Sequence, residues 1–422
     1  MVKYTDVANT GIAWLPQIPA HWQLQKIDAL FTERKTKVSD KDYAPLSVTK
    51  KGILPQLEHA AKSNDSDNRK LVKAGDFVIN SRSDRKGSCG VSKLDGSVSL
   101  INLVLTPRSG LNNDYVHYLL RNYKFSEEYY RNGRGIVADL WTTRYSEMRT
   151  ILLPIPPSEE QDQIVRFLDW KVSEINKLIG IRKKEIQELE ELRRLTIINS
   201  VSNNGEIESS DWKTAKVKRI CRMQSGTNLV SQVIDNKGKY PVYGGNGLRG
   251  YYKEYTNNGQ YALIGRQGAL AGNVHLVDGK FWATDHAVVV YCSDYLDYKY
   301  AYYMFTGMNL NQYAFDTAAQ PGLSVTKVLN LKCSFPSLKK QLEIVRRLDE
   351  LCLRYDNAIR IAKSKIQLLQ ELKSVIISDV VTGKIDVRNV TIPEYEHVDD
   401  ISDDDNEDGE GTEETETDGE EA

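Results

Sequence analysis

The chain has 422 residues, of which 40% are hydrophobic and 27% charged. A chain of this length is too long for one ordinary hydrophobic core, so we expect two or three domains. Its five cysteines include no C-x-x-C pair, which argues against a disulfide framework and for a reducing compartment. The N-terminus has no basic start followed by an apolar stretch, and no apolar run approaches the roughly 18 residues that a membrane span needs. We therefore expect a soluble, cytoplasmic protein that contacts no membrane.

Charge is segregated along the chain. Residues 394–422 hold 16 of the 58 acidic side chains and none of the 56 basic ones, so residues 1–393 carry a net charge of about +14 although the whole chain sums to −2. A basic body of this kind is typical of proteins that bind a polyanion, although many other soluble proteins are moderately basic.

Residues 1–156 are predicted to form a first globular domain of mixed strands and helices. An apolar strand ends in an Arg- and Gly-rich loop at 75–90, a second strand follows at 98–107, and a tyrosine-rich helix comes next. Loops on a rigid sheet concentrate binding residues, and Arg can bridge O6 and N7 of guanine. The candidate DNA-contacting residues are Arg82, Arg85 and Lys86 in the loop and Arg134 and Arg144 further on; plain surface charge is the alternative interpretation.

A long helix is predicted over residues 157–202, directly after a proline-rich stop. Its apolar residues recur at alternating steps of three and four, which is typical of a coiled-coil seam. The predicted seam consists of Val165, Leu168, Val172, Ile175, Ile179, Ile186 and Leu189.

Residues 203–335 repeat the plan of the first domain, with an Arg- and Gly-rich loop at 259–272 between two apolar strands. Gln can bridge N6 and N7 of adenine, so this domain adds both kinds of base-reading side chain. Its candidate DNA-contacting residues are Arg249, Lys253, Arg266, Gln267, Gln320 and Lys327. The segment Gly245–Gly250 fits G-x-G-x-x-G, but a turn-rich aromatic stretch follows instead of a helix, so we do not interpret it as a dinucleotide site.

A second long helix is predicted over 336–387, and it repeats the first. Residues 161–201 align with 341–381 without a gap, and 16 of the 41 positions are identical. The second seam consists of Val345, Leu348, Tyr355, Ile359, Ile366 and Leu369. We therefore expect an α+β fold with two similar mixed α/β domains, separated by two long antiparallel coiled-coil helices and related by a pseudo-two-fold axis. A simple dimerisation coiled coil would explain the seams but not the duplication.

The C-terminal residues 388–422 are predicted to form a disordered acidic tail. The sequence also contains no phosphate-binding loop, no nucleophile elbow and no His and Cys set with metal-ligand spacing. We therefore expect no catalytic residue and no metal site.

Four segments resemble the specificity subunit of type I restriction-modification enzymes. They are GIAWLPQIPAHWQLQKI at 11–27, LLPIPPSEEQDQIVRFLDWKVSEINKLI at 152–179, AAQPGLS at 318–324 and ELKSVIISDVVTGKIDVR at 371–388. The resemblance spans residues 1 to about 390, while the acidic tail lies outside it. One departure is the sequence SLKKQ at 337–341, where the first repeat has Glu160–Gln161.

The resemblance implies a non-catalytic subunit that reads a bipartite target in double-stranded DNA. The two globular segments would each be a target-recognition domain for one half of the target, and the helices would set the spacer and dock two methyltransferase subunits. Two restriction subunits with motor and nuclease activity would join for cleavage. S-adenosylmethionine, ATP and Mg would be used by these partners and not by this chain, in the cytoplasm of a bacterium or archaeon. The alternative is a standalone coiled-coil DNA-binding regulator, from which co-purification of methyltransferase subunits would distinguish it.

Overall fold

The structure is a computed structural model that describes residues 2–57, 67–108, 110–135, 141–202, 211–268, 270–317 and 320–399. The chain forms two compact units: unit 1 comprises residues 1–182 and 364–422, and unit 2 comprises residues 183–363. Each unit combines a mixed sheet-and-helix part with segments of two long helices, so the expected α+β class is confirmed. Within the described ranges, no helix is both long and apolar enough to cross a lipid bilayer.

The globular part of unit 1 is built mainly from antiparallel strands and short helices. The strands are β1 (Val7–Ile12), β2 (Leu15–Pro19), β3 (Gln23–Lys26), β4 (Phe31–Glu33), β5 (Lys37–Val38), β6 (Leu46–Thr49), β7 (Gly52–Pro55), β8 (Arg69–Val72), β9 (Phe77–Asn80), β10 (Cys89–Val91), β11 (Gly96–Ser99), β12 (Asn102–Pro107) and β13 (Leu152–Ile155). One sheet has the order β10-β9-β12-β4 and a second has the order β11-β8-β5. The helices are α1 (Ile27–Leu30), α2 (Asn113–Arg121), α3 (Tyr123–Arg131) and α4 (Tyr145–Met148).

Helix α5 (Ser158–Val201) follows, as predicted for 157–202. The globular part of unit 2 contains the strands β14 (Lys213–Lys216), β15 (Cys221–Ser225), β16 (Tyr240–Gly244), β17 (Gly247–Tyr252), β18 (Asn257–Gly265), β19 (Val274–Ala283), β20 (Ala287–Cys292), β21 (Ala314–Thr317), β22 (Gln320–Leu323) and β23 (Lys332–Phe335), and the helices α6 (Tyr298–Gly307) and α7 (Val325–Asn330). It is built around one six-stranded sheet of order β15-β20-β18-β19-β16-β17. Helix α8 (Leu338–Val381) completes the long-helix pair.

The long helices run antiparallel within each unit. In unit 1, Asn176 of α5 accepts a hydrogen bond from Lys373 of α8 at 3.3 Å, and Gln163, earlier in α5, donates to the carbonyl of Val387, beyond the end of α8. In unit 2, Arg193 of α5 forms an ion pair with Asp356 of α8 at 3.1 Å, and the hydroxyls of Thr196, later in α5, and Tyr355, earlier in α8, lie 3.2 Å apart. Position along α5 thus rises as position along α8 falls, which confirms the predicted orientation.

All predicted seam residues of the two long helices are buried or half-buried. Of these, Val165, Leu168, Ile175, Ile179, Val345 and Leu348 are buried, and Val172, Ile186, Leu189, Tyr355, Ile359, Ile366 and Leu369 are half-buried. Those nearest the helix starts also pack into the globular cores, because Leu168 belongs to the same apolar cluster as Tyr115 and Phe125, and Leu348 to the same cluster as Tyr300.

The two repeats join their helices to the globular parts through the same buried glutamine. In unit 1, Gln161 accepts from the backbone N–H of Asn112 at 2.9 Å and donates to the carbonyl of Pro156 at 3.0 Å. In unit 2, Gln341 accepts from the N–H of Asp297 at 2.9 Å and donates to the carbonyl of Pro336 at 2.9 Å. Asn112 and Asp297 each cap the helix that follows, α2 or α6, so one side chain ties the start of a long helix to the start of a short one.

The segment after α8 differs from the prediction of disorder from residue 388 onward. Residues 388–399 lie along α5, where Gln163 donates to the carbonyl of Val390 at 2.8 Å and Asn176 donates to that of Val398 at 3.0 Å. Buried polar groups of α5 need partners, and this segment supplies them with its backbone. Residues 400–422, which hold most of the predicted tail, lie outside the described residues.

Candidate nucleic-acid interface

Glycines in unit 2 allow several loops to meet backbone to backbone at one edge of the sheet. A Cβ atom on Gly265 would lie 2.1 Å from the carbonyl oxygen of Gly245, and one on Gly226 would lie 2.1 Å from that of Ala283. Because real Cβ atoms do not approach backbone so closely, these positions accept only glycine. The loop that follows β18, residues 266–273, is called here the basic loop of unit 2.

Arg266 and Gln267 begin this basic loop and are fixed by their backbone. The N–H of Arg266 donates to the carbonyl of His286, and the carbonyl of Arg266 accepts from the N–H of Leu323, both at 2.8 Å. Gln267 forms an antiparallel bridge with Gly322. The guanidinium of Arg266 donates to Ser225 at 3.3 Å, whereas the side chain of Gln267 is exposed. Both candidate side chains therefore stand on an anchored backbone.

The neighbouring hairpin carries Arg249 and Lys253. The segment Gly245–Gly250 contains the turn and much of β17, so it is part of a β-hairpin and not a loop before a helix. Arg249 donates to Ser231 at 3.2 Å, and Lys253 is 76% exposed beside Glu254. The hairpin thus extends the basic surface away from the basic loop.

The remaining predictions in unit 2 are Gln320 and Lys327, which lie before the second proline stop, and residues 320–324 are called the return segment of unit 2. The backbone of Gln320 lies in β22, but its side chain lies outside the described residues. Lys327 is exposed in the first turn of α7, where its N–H donates to the side chain of Ser324 at 3.4 Å.

Unit 1 repeats this arrangement. The loop after β9, residues 81–88, is called the basic loop of unit 1, and residues 141–144 form its return segment. Arg82 and Arg134 both form antiparallel bridges with Thr142, and the N–H of Thr143 donates to the carbonyl of Ser81 at 2.9 Å. The same two connections occur in unit 2 between Gln267 and Gly322 and between Arg266 and Leu323. The two basic loops are therefore equivalent structures.

The other unit 1 candidates lie in the same two segments but have different contacts. Lys86 forms an ion pair with Glu127 of α3, and Arg85 lies in the same turn, where its carbonyl accepts from Tyr130 at 3.4 Å. Arg144 is exposed at the start of α4. Beside Lys86 is an open cavity of about 740 Å³ whose walls include Trp14 and Trp141.

His275 is a polar residue of the unit 2 site that sequence reasoning did not identify. Burial lowers the pKa of its imidazole, which keeps the ring neutral. A Cβ on Gly247 would lie 3.2 Å from this ring, and among the described residues its buried Nε2 has no hydrogen-bond partner. An isolated histidine in a strand gives no signal in the sequence that its ring is buried with an unpaired nitrogen.

Thr142 and Ser225 were also missed, because their contribution depends on contacts between distant segments. Trp141 is different, since a tryptophan between the candidates Arg134 and Arg144 could have been noticed in the sequence. Trp141 is 38% exposed, and Ser83 holds its backbone. The Ser83 hydroxyl accepts from the N–H of Trp141 at 3.0 Å, and the N–H of Ser83 donates to the carbonyl of Trp141 at 2.9 Å.

The long helices present a second set of apolar side chains that point outward and differ from the seam. In unit 1 these exposed residues are Leu178 (47%), Ile181 (52%), Leu368 (63%), Leu372 (47%) and Val375 (54%); in unit 2 they include Leu192, Leu195, Leu353 and Ile361. Clustered aliphatic exposure on a rigid surface is typical of a protein-binding face.

Comparison with known proteins shows which family part of this chain resembles. Residues 209–371 match the model of the type I restriction modification DNA specificity domain. The specificity subunit of the type I restriction enzyme EcoprrI from Escherichia coli is 38% identical over 170 residues, which cover 39% of this chain and 42% of that protein. The specificity subunit of the MjaVIII enzyme from Methanocaldococcus jannaschii is 24% identical over 280 residues, or 57% and 63% of the two chains.

These alignments thus span about two fifths to just under two thirds of the relatives' length. A solved chain from a study of complex assembly and conformational transition in a type I restriction-modification system shares the fold, with a TM-score of 0.67 at 14% identity over 87% of this chain and 99% of that one. Residues 209–371 thus resemble the DNA specificity domain of type I restriction-modification systems, and the chain shares the fold of a solved chain from the study of such a system.

Proposed function

We propose that this chain is the DNA-reading subunit of a type I restriction-modification complex, that each unit reads one half of a bipartite target, and that the chain has no catalytic site of its own. The observation that carries the proposal is the repeated pairing of a basic loop with a return segment. It presents Arg82 and Arg134 in unit 1 and Arg266 and Gln267 in unit 2 on anchored backbones. Bidentate reading of guanine by Arg and of adenine by Gln needs this kind of rigid support.

Methylome sequencing of a host carrying variants of this chain tests the proposal. The double variant Arg266→Ala with Gln267→Ala is expected to relax or change the methylated sequence at one half of the target only. Arg82→Ala is expected to affect the other half. Lys213→Ala, an exposed residue of β14, serves as the control and should leave both halves unchanged. Equal effects of the two variants on both halves, or no effect of either, would contradict the assignment.

We further propose that the outward apolar residues of the long helices dock two methyltransferase subunits, and that two restriction subunits join this assembly. Large exposed aliphatic side chains lose water when a partner covers them, which stabilises the complex. Leu368→Glu with Leu372→Glu should abolish co-purification of the methyltransferase. The matched control, Gln367→Glu with Gln370→Glu, adds the same charge to exposed polar positions of α8 and should not. Equal recovery of the partner with both double variants would rule out this docking face.

In this proposal the cofactors belong to the partners, which act together in the cytoplasm of a bacterium or archaeon. S-adenosylmethionine would serve the methyltransferase, and ATP with Mg the restriction subunits. The isolated chain supplied with DNA and these cofactors should neither methylate nor cleave, and methylation should appear when the methyltransferase is added. If the chain is recovered from its host without any methyltransferase, it is instead a standalone DNA-binding regulator.

A further inference from the structure

Two lysines and two tyrosines form a continuous surface cluster in unit 2, at a distance from the basic loop. The Lys239 ammonium lies 5.2 Å from the ring centre of Tyr240, and the Lys280 ammonium lies 4.9 Å from that of Tyr255. The two rings contact each other, with centres 5.0 Å apart. We call these four residues the lysine–tyrosine cluster.

The cluster presents positive charge to solvent on a rigid base. Both lysines are exposed, and neither forms an ion pair with a residue in the described part of the chain. A lysine that rests on an aromatic ring loses less side-chain freedom when it binds an anion, because the ring already restricts its position. The base is fixed by Tyr252, which pairs with Tyr240 across the hairpin and packs edge-on against Trp282 at 5.3 Å.

The position of the cluster along the hairpin of β16 and β17 suggests what it binds. The turn of this hairpin, at Gly244 and Gly247, meets the basic loop, because a Cβ on Gly245 would lie 2.9 Å from the carbonyl of Gln267. Tyr240 is at the other end of the five-residue strand β16. At a rise of about 3.3 Å per residue, the distance along β16 from Tyr240 in the cluster to Gly244 at the turn is about 13 Å. Duplex DNA advances about 3.4 Å per base pair, so for a duplex that runs along this hairpin the distance corresponds to about four base pairs.

We propose that the lysine–tyrosine cluster binds backbone phosphates of the DNA duplex that flanks the half-site of unit 2, about four base pairs from the bases that the basic loop reads. This inference rests on the proposed function. Phosphate contacts add affinity and hold the register of the protein on DNA, but they carry no sequence information. The cluster therefore contributes to binding strength and to its salt dependence, and not to the choice of target.

The test compares binding of two duplexes by the full chain assembled with its methyltransferase. Both duplexes carry the sequence found by methylome sequencing; one extends ten base pairs beyond the unit 2 half-site and the other two. Fluorescence anisotropy between 50 and 200 mM salt gives the slope of log K against log salt. Each lost phosphate contact reduces that slope by about 0.9, so Lys239→Gln with Lys280→Gln should reduce it by about 1.8 on the long duplex and not on the short one.

The controls separate this inference from other causes. Glutamine retains an aliphatic stem over each ring, and an unchanged thermal unfolding midpoint shows that the fold is intact. Lys213→Gln with Lys216→Gln removes the same charge from exposed positions of β14 and should leave the slope unchanged. Equal slopes for the cluster variant and the unaltered chain on the long duplex, or equal reductions on both duplexes, would overturn the inference. If the unaltered chain does not prefer its target over a scrambled duplex, the proposed function itself fails.

Discussion

Gln161 and Gln341 are buried side chains whose two polar ends are both used. Each satisfies one backbone donor and at least one backbone acceptor at the junction of a long helix with a globular part. Replacing either side chain by an apolar one of similar size keeps the packing but leaves these groups unpaired. An unpaired buried group costs more free energy than a hydrogen bond contributes.

Gln161→Leu is therefore expected to lower the free energy of unfolding by about 2 to 4 kcal/mol. Gln341→Leu should have an effect of similar size, since its contacts are equivalent. Denaturant unfolding followed by circular dichroism measures both. Gln367→Leu, at an exposed position of α8, is the control and should change stability by no more than about 0.5 kcal/mol. A change for Gln161→Leu as small as that of the control would show that water satisfies the junction.

His117 makes the stability of unit 1 depend on pH. Burial, aided by the charge of Arg121, lowers the pKa of its imidazole from about 6.5 to about 3. In the unfolded chain this histidine takes up a proton below about pH 6.5, whereas in the folded chain it stays neutral, so stability is lost as the pH falls through this range. The slope is at most about 1.4 kcal/mol per pH unit.

His117→Gln should remove this contribution, so that the loss of stability between pH 7 and pH 5 becomes smaller by up to about 2 kcal/mol. Unfolding curves at several pH values measure it. His397→Gln serves as control, because His397 is 64% exposed. An unchanged pH dependence in His117→Gln would mean that the histidine titrates normally in the folded protein.

Candidate site residues could be chosen from the sequence only where side-chain chemistry and local sequence pattern coincide. Arg82, Arg266 and Gln267 were predicted because a basic or amide side chain followed an apolar strand and stood among glycines. The partners that fix them, Thr142 and Ser225, lie 60 and 41 residues away along the chain from Arg82 and Arg266 and carry no local signal. Long-range pairing of this kind requires the fold itself.

At the scale of elements, the glycines that let loops meet determine whether the unit 2 site exists. Gly265→Ala would force its Cβ to 2.1 Å from the carbonyl oxygen of Gly245, so the basic loop must move. We expect this variant to lose at least tenfold in affinity for its target and to unfold at a lower temperature. Gly322→Ala is the matched control in the same site, because its Cβ would lie 4.0 Å from the nearest atom, the carbonyl oxygen of Arg266. Anisotropy titrations compare the two, and equal affinities would show that the loops can separate without loss of function.

The two long helices were the most predictable elements. The helices, Ser158–Val201 and Leu338–Val381, start within two residues of the predicted positions 157 and 336, because proline stops and a seven-residue period are local signals. The end of the second helix was placed six residues too late. The Gly383 backbone adopts a φ of +70°, and it packs so closely that a Cβ atom there would lie 2.2 Å from the side chain of Pro19. A glycine after a helix is a common stop signal, which the seam pattern concealed.

At the scale of the whole molecule, the helices pass without interruption through the boundaries between the units, at residues 182 and 363. Inserting seven residues after each of these positions keeps the seam in register and lengthens both helices by about 10.5 Å. If the helices act as a ruler on DNA, the spacer of the methylated sequence should grow by about three base pairs, with both half-sites unchanged.

Methylome sequencing of the double insertion reads the spacer directly. Insertion into one helix alone is the control, because it mismatches the seams and should abolish methylation. A double insertion that methylates the original sequence with its original spacer would refute the ruler.

The core of unit 1 joins residues 4–179 with residues 376–387, and this sets an order for biosynthesis. Val380, Val381 and Val387 belong to the same apolar cluster as Trp22, Tyr115 and Phe125. On the ribosome, all of unit 2 emerges before these last side chains do. The unit that is translated first is therefore completed last, and its apolar surface stays open to chaperones and proteases until the nascent chain has passed residue 387.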